Sequence, residues 1–280
     1  MTRLKSEDIR DIGDDWVAYE AELQTITGRG LAGVAAHAAG IDTAAAAERL
    51  AALAVWAVPM TCGQGVIGGF SRAVARIAGH LGCRAHCAAQ SDAAGLAEAF
   101  ENGADLILLS DDSRFVAIDA ARRQVVDNGA ATGTGFAAGL DLMAGGLTGR
   151  TIVVMGCGPV GRAAAAAAAS FGASVRLHDL KPDRCRRAVD DLKQQGVQAG
   201  NVAGIEEALD RHRLIIEATN SPDTIPAARI HADTRIAAPG VPLGLDRRAR
   251  TRAAGRLLHD PLEIGVATML TLALAARPTS

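Results

Sequence analysis

Gly156-Cys157-Gly158-Pro159-Val160-Gly161 places three glycines at the spacing of a phosphate-cradling turn. The turn sits between the apolar run Thr151–Met155 and an alanine-rich stretch reaching Ser170. Glycine at the first position permits a tight turn, at the second lets the backbone approach a pyrophosphate, and at the third lets the helix lie close to the strand. The helix then presents unpaired N–H groups and the positive end of its dipole to the phosphates. Asp179 ends the next strand-like run, 18 residues past Gly161. A carboxylate there accepts both ribose hydroxyls and repels a 2′-phosphate, which favours NAD over NADP; Lys181 and Arg184 close by weaken that preference slightly. Further cofactor contacts are expected where later strands end, at Thr219 and at Pro239-Gly240, although ordinary turn chemistry explains those residues equally well.

Two segments nearer the start suit a substrate. Thr61–Ser71 carries Gly63, Gly65, Gly68 and Gly69 between a strand-like run and a helical one, a loop that exposes backbone amides; a flexible turn is the plain alternative. Ser110-Asp111-Asp112-Ser113 follows an apolar strand. Its carboxylates can hold a cationic amine or accept a proton, or Asp can simply cap a helix. His80, Cys83, His86 and Cys87 fall close together but lack a C-x-x-C pair and a zinc spacing, so no metal is expected. Cys62 lies in the glycine loop with no adjacent histidine, and Cys157 reads as a small filler. The run Arg247, Arg248, Arg250 and Arg252 reads as a solvated helix face.

The elements that must position these residues alternate. Strands are expected at Arg150–Gly156, Ala173–Asp179, Arg213–Thr219, Thr234–Pro239 and Arg256–Asp260, with helices up to Ser170 and over Pro182–Gln195. That alternation predicts a doubly wound parallel sheet, a C-terminal Rossmann domain over 146–260. Residues 1–145 read as a smaller α/β substrate domain, again β-α-β-α-β, with strands at Val55–Met60, Cys83–Ala89 and Asp105–Ser110. Helices are expected there over Ser6–Thr27, Thr43–Leu53, Ser71–Leu81, Asp92–Asn102 and Ala131–Ala144. Residues 261–280 carry a last apolar helix, expected to pack at the domain junction.

Composition narrows the classes. The chain has 280 residues, 49% apolar and 3% aromatic, with 29 basic against 31 acidic side chains. A net charge of −2 gives no electrostatic footprint for nucleic acid or an anionic membrane. The five cysteines are irregularly spaced, the start lacks an apolar signal core, and the longest apolar run falls short of about 18 residues. The expectation is a soluble cytoplasmic protein with reduced thiols.

The segments Val58–Ser71, Leu108–Asp112 and Pro261–Leu270 together resemble the pyrrolysine synthase (PylD) family, as do Thr224-Ile225-Pro226 and Pro239-Gly240-Val241-Pro242. The resemblance covers nearly the whole chain. It implies NAD-dependent oxidation of the terminal amine of L-lysine-Nε-(3R)-3-methyl-D-ornithine, then ring closure with loss of ammonia. It also implies that Asp111 serves the amine, that Asn128 contacts polar substrate groups, and that Leu4, Val66, Ile67 and Phe70 wall the pocket. Ser71 would donate to a carboxylate, and Asp260 would either face the nicotinamide or cap the last helix. The pattern differs at Cys62, Gln64, Gly69, Asn220, Ser221 and Glu263, which bears on the exact substrate. A small-molecule isopeptide is the partner expected, and a homodimer is left open. The rivals are another amino-acid or amine dehydrogenase on this scaffold and a non-catalytic NAD(H) sensor.

Overall fold

A computed structural model describes residues 4–276, without the side chains of residues 64 and 65. Five strands form the first sheet: β1 (Ala54–Ala57), β2 (Arg84–Cys87), β3 (Leu106–Ser110), β4 (Phe115–Asp119) and β5 (Gln124–Asp127). Their order is β2-β1-β3-β4-β5, with β1 parallel to both neighbours and β4 antiparallel to β3 and to β5. The expected β-α-β-α-β run is present through β1, β2 and β3, with a helix in each connection, and a hairpin and a second reversal extend the sheet beyond it. The reversal starts where Asp111 accepts from the N–H groups of Ser113 and Arg114, a side-chain-closed turn that brings β4 straight back along β3.

Helices over Ser6–Ile9 (α1), Trp16–Thr27 (α2), Leu31–Ala39 (α3) and Thr43–Ala51 (α4) precede that sheet. The single helix expected over Ser6–Thr27 is split. Gly13 takes φ +85°, and Asp15 accepts from Ala18 N–H to start α2 afresh. Helix α3 was not expected, because LAGVAAHAA is apolar nearly all round and has no amphipathic period to read. Phe70–His80 (α5) and Asp92–Glu101 (α6) join the parallel strands, and Asn128–Ala144 (α7) leads out of the sheet.

The second sheet comprises β6 (Thr151–Met155), β7 (Ser174–His178), β8 (Ala199–Asn201), β9 (Leu214–Glu217), β10 (Arg235–Ala237) and β11 (Leu257–Leu258). All are parallel in the order β11-β10-β9-β6-β7-β8, so the direction of winding reverses between β6 and β9. That is the doubly wound order, and its crevice opens at the carboxyl ends of β6 and β9. Helices α8 (Pro159–Ser170), α9 (Pro182–Gln194), α10 (Ile205–Arg211) and α11 (Arg247–Arg252) flank it. Strand β6 is apolar and almost wholly buried, as helices covering both faces require.

The last helix, α12 (Glu263–Ala275), packs on α7, α3, α5 and α4 and is buried nearly all round. Helix α7 is the hub of the molecule. A Cβ at Gly133 would lie 2.4 Å from the carbonyl oxygen of Val160 in α8, and one at Gly135 the same distance from Thr268 Oγ1 in α12. Only glycine allows both neighbours so close. The main apolar core runs unbroken through α7 and α12, from Val55 and Leu108 in the first sheet to Ile152 and Val154 in the second. Among the described residues no helix is long and apolar enough to cross a membrane.

Candidate active site

At the end of β6, Gly156 takes φ +92°, and a Cβ there would lie 2.5 Å from the Ala218 carbonyl oxygen after β9. A Cβ on Gly161 would lie 1.9 Å from the Gly156 carbonyl oxygen, so any side chain would drive α8 off the strand. Above Gly158, by contrast, a Cβ would meet nothing within 4 Å. That open space before a helix N-terminus fits a pyrophosphate. Pro159 starts α8, where its missing N–H costs nothing. Cys157 is buried, and its N–H donates to Asp179 Oδ2 at 2.8 Å while Lys181 N–H donates to Oδ1 at 2.8 Å. Asp179 is thereby fixed beside the turn, and a carboxylate oxygen that accepts one N–H can still accept a ribose hydroxyl. The residues present fit a dinucleotide.

The β9 end adds Thr219. Its N–H donates to Glu217 Oε1 at 3.0 Å, and its hydroxyl donates to the same oxygen. Pro239 and Gly240 close β10 beside it: Gly240 N–H donates to the Glu217 carbonyl oxygen, and a Cβ on Gly240 would lie 2.3 Å from that of Thr219. The ten residues proposed for the cofactor thus lie in the turns that follow β6, β7, β9 and β10 or, as Pro159, Val160 and Gly161 do, in the first turn of α8.

The substrate side converges on the start of α7. A Cβ on Gly63 would sit 2.0 Å from the Asp111 carbonyl carbon, so the glycine loop lies directly on the aspartate turn. Arg114, in the same turn, donates from Nε to Asp127 Oδ2 at 3.2 Å, and Asp127 caps α7 by accepting from Ala130 N–H. Asn128 follows. Its Nδ2 approaches Met269 Sδ at 3.2 Å, and a Cβ on Gly265 would lie 3.0 Å from it. One residue on, Gly129 faces Pro159 and Val160 of the dinucleotide turn. The two backbone N–H groups accepted by Asp111 hold its carboxyl below the ordinary range, which keeps it an anion suited to anchoring an ammonium.

The expected apolar walls divide. Leu4 and Phe70 are buried in the core, Phe70 edge-on to Phe115 at 5.2 Å, and Ile67 packs half-buried against it. Val66 is 62% exposed, because its 3-10 turn (Gly63–Val66) stands at the surface. Ser71 is buried in the first turn of α5. Asp260 is 5% exposed; it accepts from Tyr19 Oη at 2.9 Å and from Ile264 N–H at 3.1 Å. It therefore caps α12, and no hydrogen bond joins it to Asp111 or Asn128. Burial, reinforced by nearby Glu263, pushes its carboxyl well above the ordinary range.

Among the described residues no group of three or more His, Cys, Asp or Glu could hold a metal ion. His80 stacks on Trp16 and pairs with Glu20, whereas His86 stacks on Trp56. The residues missed by sequence reasoning are Glu217, Tyr19 and the Arg114–Asp127 pair. Glu217 alone carried a signal, as the one charge inside an otherwise apolar strand.

Residues 8–126 match the family model "Pyrrolysine biosynthesis protein PylD, N-terminal domain", and residues 125–234 match "Alanine dehydrogenase/PNT, C-terminal domain". Pyrrolysine synthase of Methanosarcina acetivorans is 29% identical over 96% of this chain and 98% of its own; that of Methanosarcina barkeri is 28% identical over 96% and 97%. Among solved structures, quinate dehydrogenase from Corynebacterium glutamicum in complex with NAD superposes with a TM-score of 0.55 at 16% identity, over 80% of this chain and 94% of that one. Shikimate dehydrogenase from Aquifex aeolicus gives 0.52 at 16% identity, over 80% and 91%, a likeness of fold. With a match to the PylD N-terminal domain leading into one to the alanine dehydrogenase/PNT C-terminal domain, and likeness to two pyrrolysine synthases along almost its entire length, the chain is an NAD-dependent dehydrogenase similar to the pyrrolysine synthases.

Proposed function

We propose that the chain oxidises the terminal amine of L-lysine-Nε-(3R)-3-methyl-D-ornithine and lets the product close to pyrrolysine. The observation that carries this reading is the meeting at the start of α7. There the Asp111 turn, tied through Arg114 to Asp127, adjoins Asn128, and Gly129 faces the dinucleotide turn. An ammonium anchored at Asp111 would thus stand on the side of the first sheet that faces the cofactor.

When bound, NAD supplies the acceptor for the two electrons and the hydrogen removed from the carbon bearing the amine. Taking that hydride and one proton from R–CH2–NH3+ leaves R–CH=NH2+. The neutral α-amine of the ornithine part then attacks that carbon, ammonia leaves, and a five-membered cyclic imine remains. Asp111 holds the ammonium; its lowered carboxyl suits it to anchoring more than to taking the proton. Asn128 offers an amide to polar substrate groups. Asp260 contributes by position: it caps α12, whose Gly265 seats against Asn128. All reactants are small and water-soluble, in keeping with a cytoplasmic enzyme.

The test mixes purified protein, NAD and the isopeptide, following NADH absorbance and product mass. NADH together with a product lighter by two hydrogens and one ammonia supports the reading. NAD binding without NADH sinks it for this substrate and turns the search to related diamines. Binding of NADH without turnover of any amine, and indifference to Asp111→Asn, would favour a sensor.

A further inference from the structure

Glu217 is a buried carboxylic acid that the proposed chemistry does not use. It has no solvent exposure, and its Oε2 has no hydrogen-bond partner. Burial raises its carboxyl above the ordinary range despite the hydrogen bonds from Thr219. Placing such a group in an apolar strand costs stability wherever hydrogen bonds do not offset its lost hydration, as they do not at Oε2.

Its surroundings indicate a role. Glu217 pairs with Met155 across β6 and β9, so it stands where the winding reverses and the crevice opens. Oε1 accepts from both the N–H and the hydroxyl of Thr219, while the main-chain oxygen accepts from Gly240 N–H. A Cβ on Gly240 would lie 2.7 Å from Oε2, and one on Gly244 would lie 2.7 Å from Cδ. One carboxyl is therefore enclosed by both loops that leave β9 and β10: Thr219 of the first holds one of its oxygens, and the second has glycine at both places where it touches the acid, Gly240 and Gly244.

The geometry points to Glu217 as a positioning residue that locks the β9 and β10 loops into the register needed by the nicotinamide half of the cofactor. It acts through Thr219 and Gly240 and touches no reacting atom. The inference rests on the cofactor reading and is independent of which amine is oxidised. Asp179 lies at the far side of the dinucleotide turn, so the adenosine half should not sense Glu217.

Calorimetric titration of the full chain with NAD and, separately, with AMP tests this without any turnover. Glu217→Gln keeps the length and the acceptor oxygen and should bind NAD within about twofold of the parent. Glu217→Asp withdraws the carboxyl by one methylene and should weaken NAD about tenfold, the loss of one buried hydrogen bond, with AMP unchanged. Unchanged NAD affinity in Glu217→Asp overturns the inference. So does an equal loss of AMP and NAD, or a Gln variant as weak as the Asp one. If Glu217→Asp does not fold, Gly244→Ala displaces the same carboxyl from the opposite side and must give the same split between NAD and AMP.

Discussion

Asp179 spends one hydrogen bond per carboxylate oxygen on the backbone and keeps acceptor capacity on both for a ribose. Asp179→Asn keeps one acceptor but replaces a charge with a donor. NAD affinity is expected to fall about 10- to 100-fold, a charged hydrogen bond at about 1.5–3 kcal/mol, and discrimination against NADP should narrow. Paired NAD and NADP titrations check both effects. At the substrate end, Asp111→Asn removes the anion that holds the ammonium, and kcat/KM for the isopeptide should fall by about the same factor while NAD affinity stays put. A variant that instead loses NAD binding would place Asp111 in the cofactor site. The glycine turn and Asp179 were legible because their chemistry is written in contiguous spacing. The Arg114–Asp127 pair and the Tyr19–Asp260 bond were not, since each partner only meets the other once the chain has folded.

Helix α8 depends on two glycines in different ways. A methyl at Gly161 collides with the Gly156 carbonyl, whereas one at Gly158 enters open space. Gly161→Ala should therefore lower the thermal midpoint and abolish NAD binding together, the backbone clash costing about 1–3 kcal/mol. Gly158→Ala should fold normally yet bind NAD at least about tenfold more weakly, because its methyl occupies the space left for the pyrophosphate. Thermal unfolding and NAD titration on the two variants separate a structural glycine from a binding one. The same contrast explains which elements could be read in advance. Strands β6, β7, β9 and β10 carry apolar runs closed by turn residues and were expected within a few residues of where they lie. Strands β4 and β5 escaped because the Asp111 turn that creates them is closed by its own side chain, and the two short aspartates there read equally well as a helix cap. Helix α3 escaped because a helix apolar nearly all round has no polar stripe.

Across the molecule, Tyr19 and Asp260 join two segments 241 residues apart, and with the α7–α12 contact they tie the chain's ends to its middle. Burial raises the Tyr19 hydroxyl well above its ordinary value, so it stays protonated and donates. Asp260 is likewise raised, and Glu263 beside it is raised by its own burial. The folded state therefore binds the Asp260 proton more tightly than the unfolded chain does. Its stabilising contribution is complete below the ordinary carboxyl range of about pH 4 and is lost as pH rises through the folded-state value. Asp260→Asn keeps an acceptor for Tyr19 and for Ile264 N–H without an ionisable group, so that loss disappears. The variant should unfold at about the parent's temperature near pH 4 and gain on it as pH rises, at about 1.4 kcal/mol for each unit by which Asp260 is raised. In a chain of this size that amounts to a few degrees in Tm. Tyr19→Phe should do the opposite, lowering Tm by removing a donor from a buried carboxyl, with the deficit growing wherever Asp260 is ionised. Thermal scans of the three proteins across that pH range check the assignment; parallel curves for the parent and Asp260→Asn would mean that Asp260 titrates no differently in the folded molecule than in the unfolded chain.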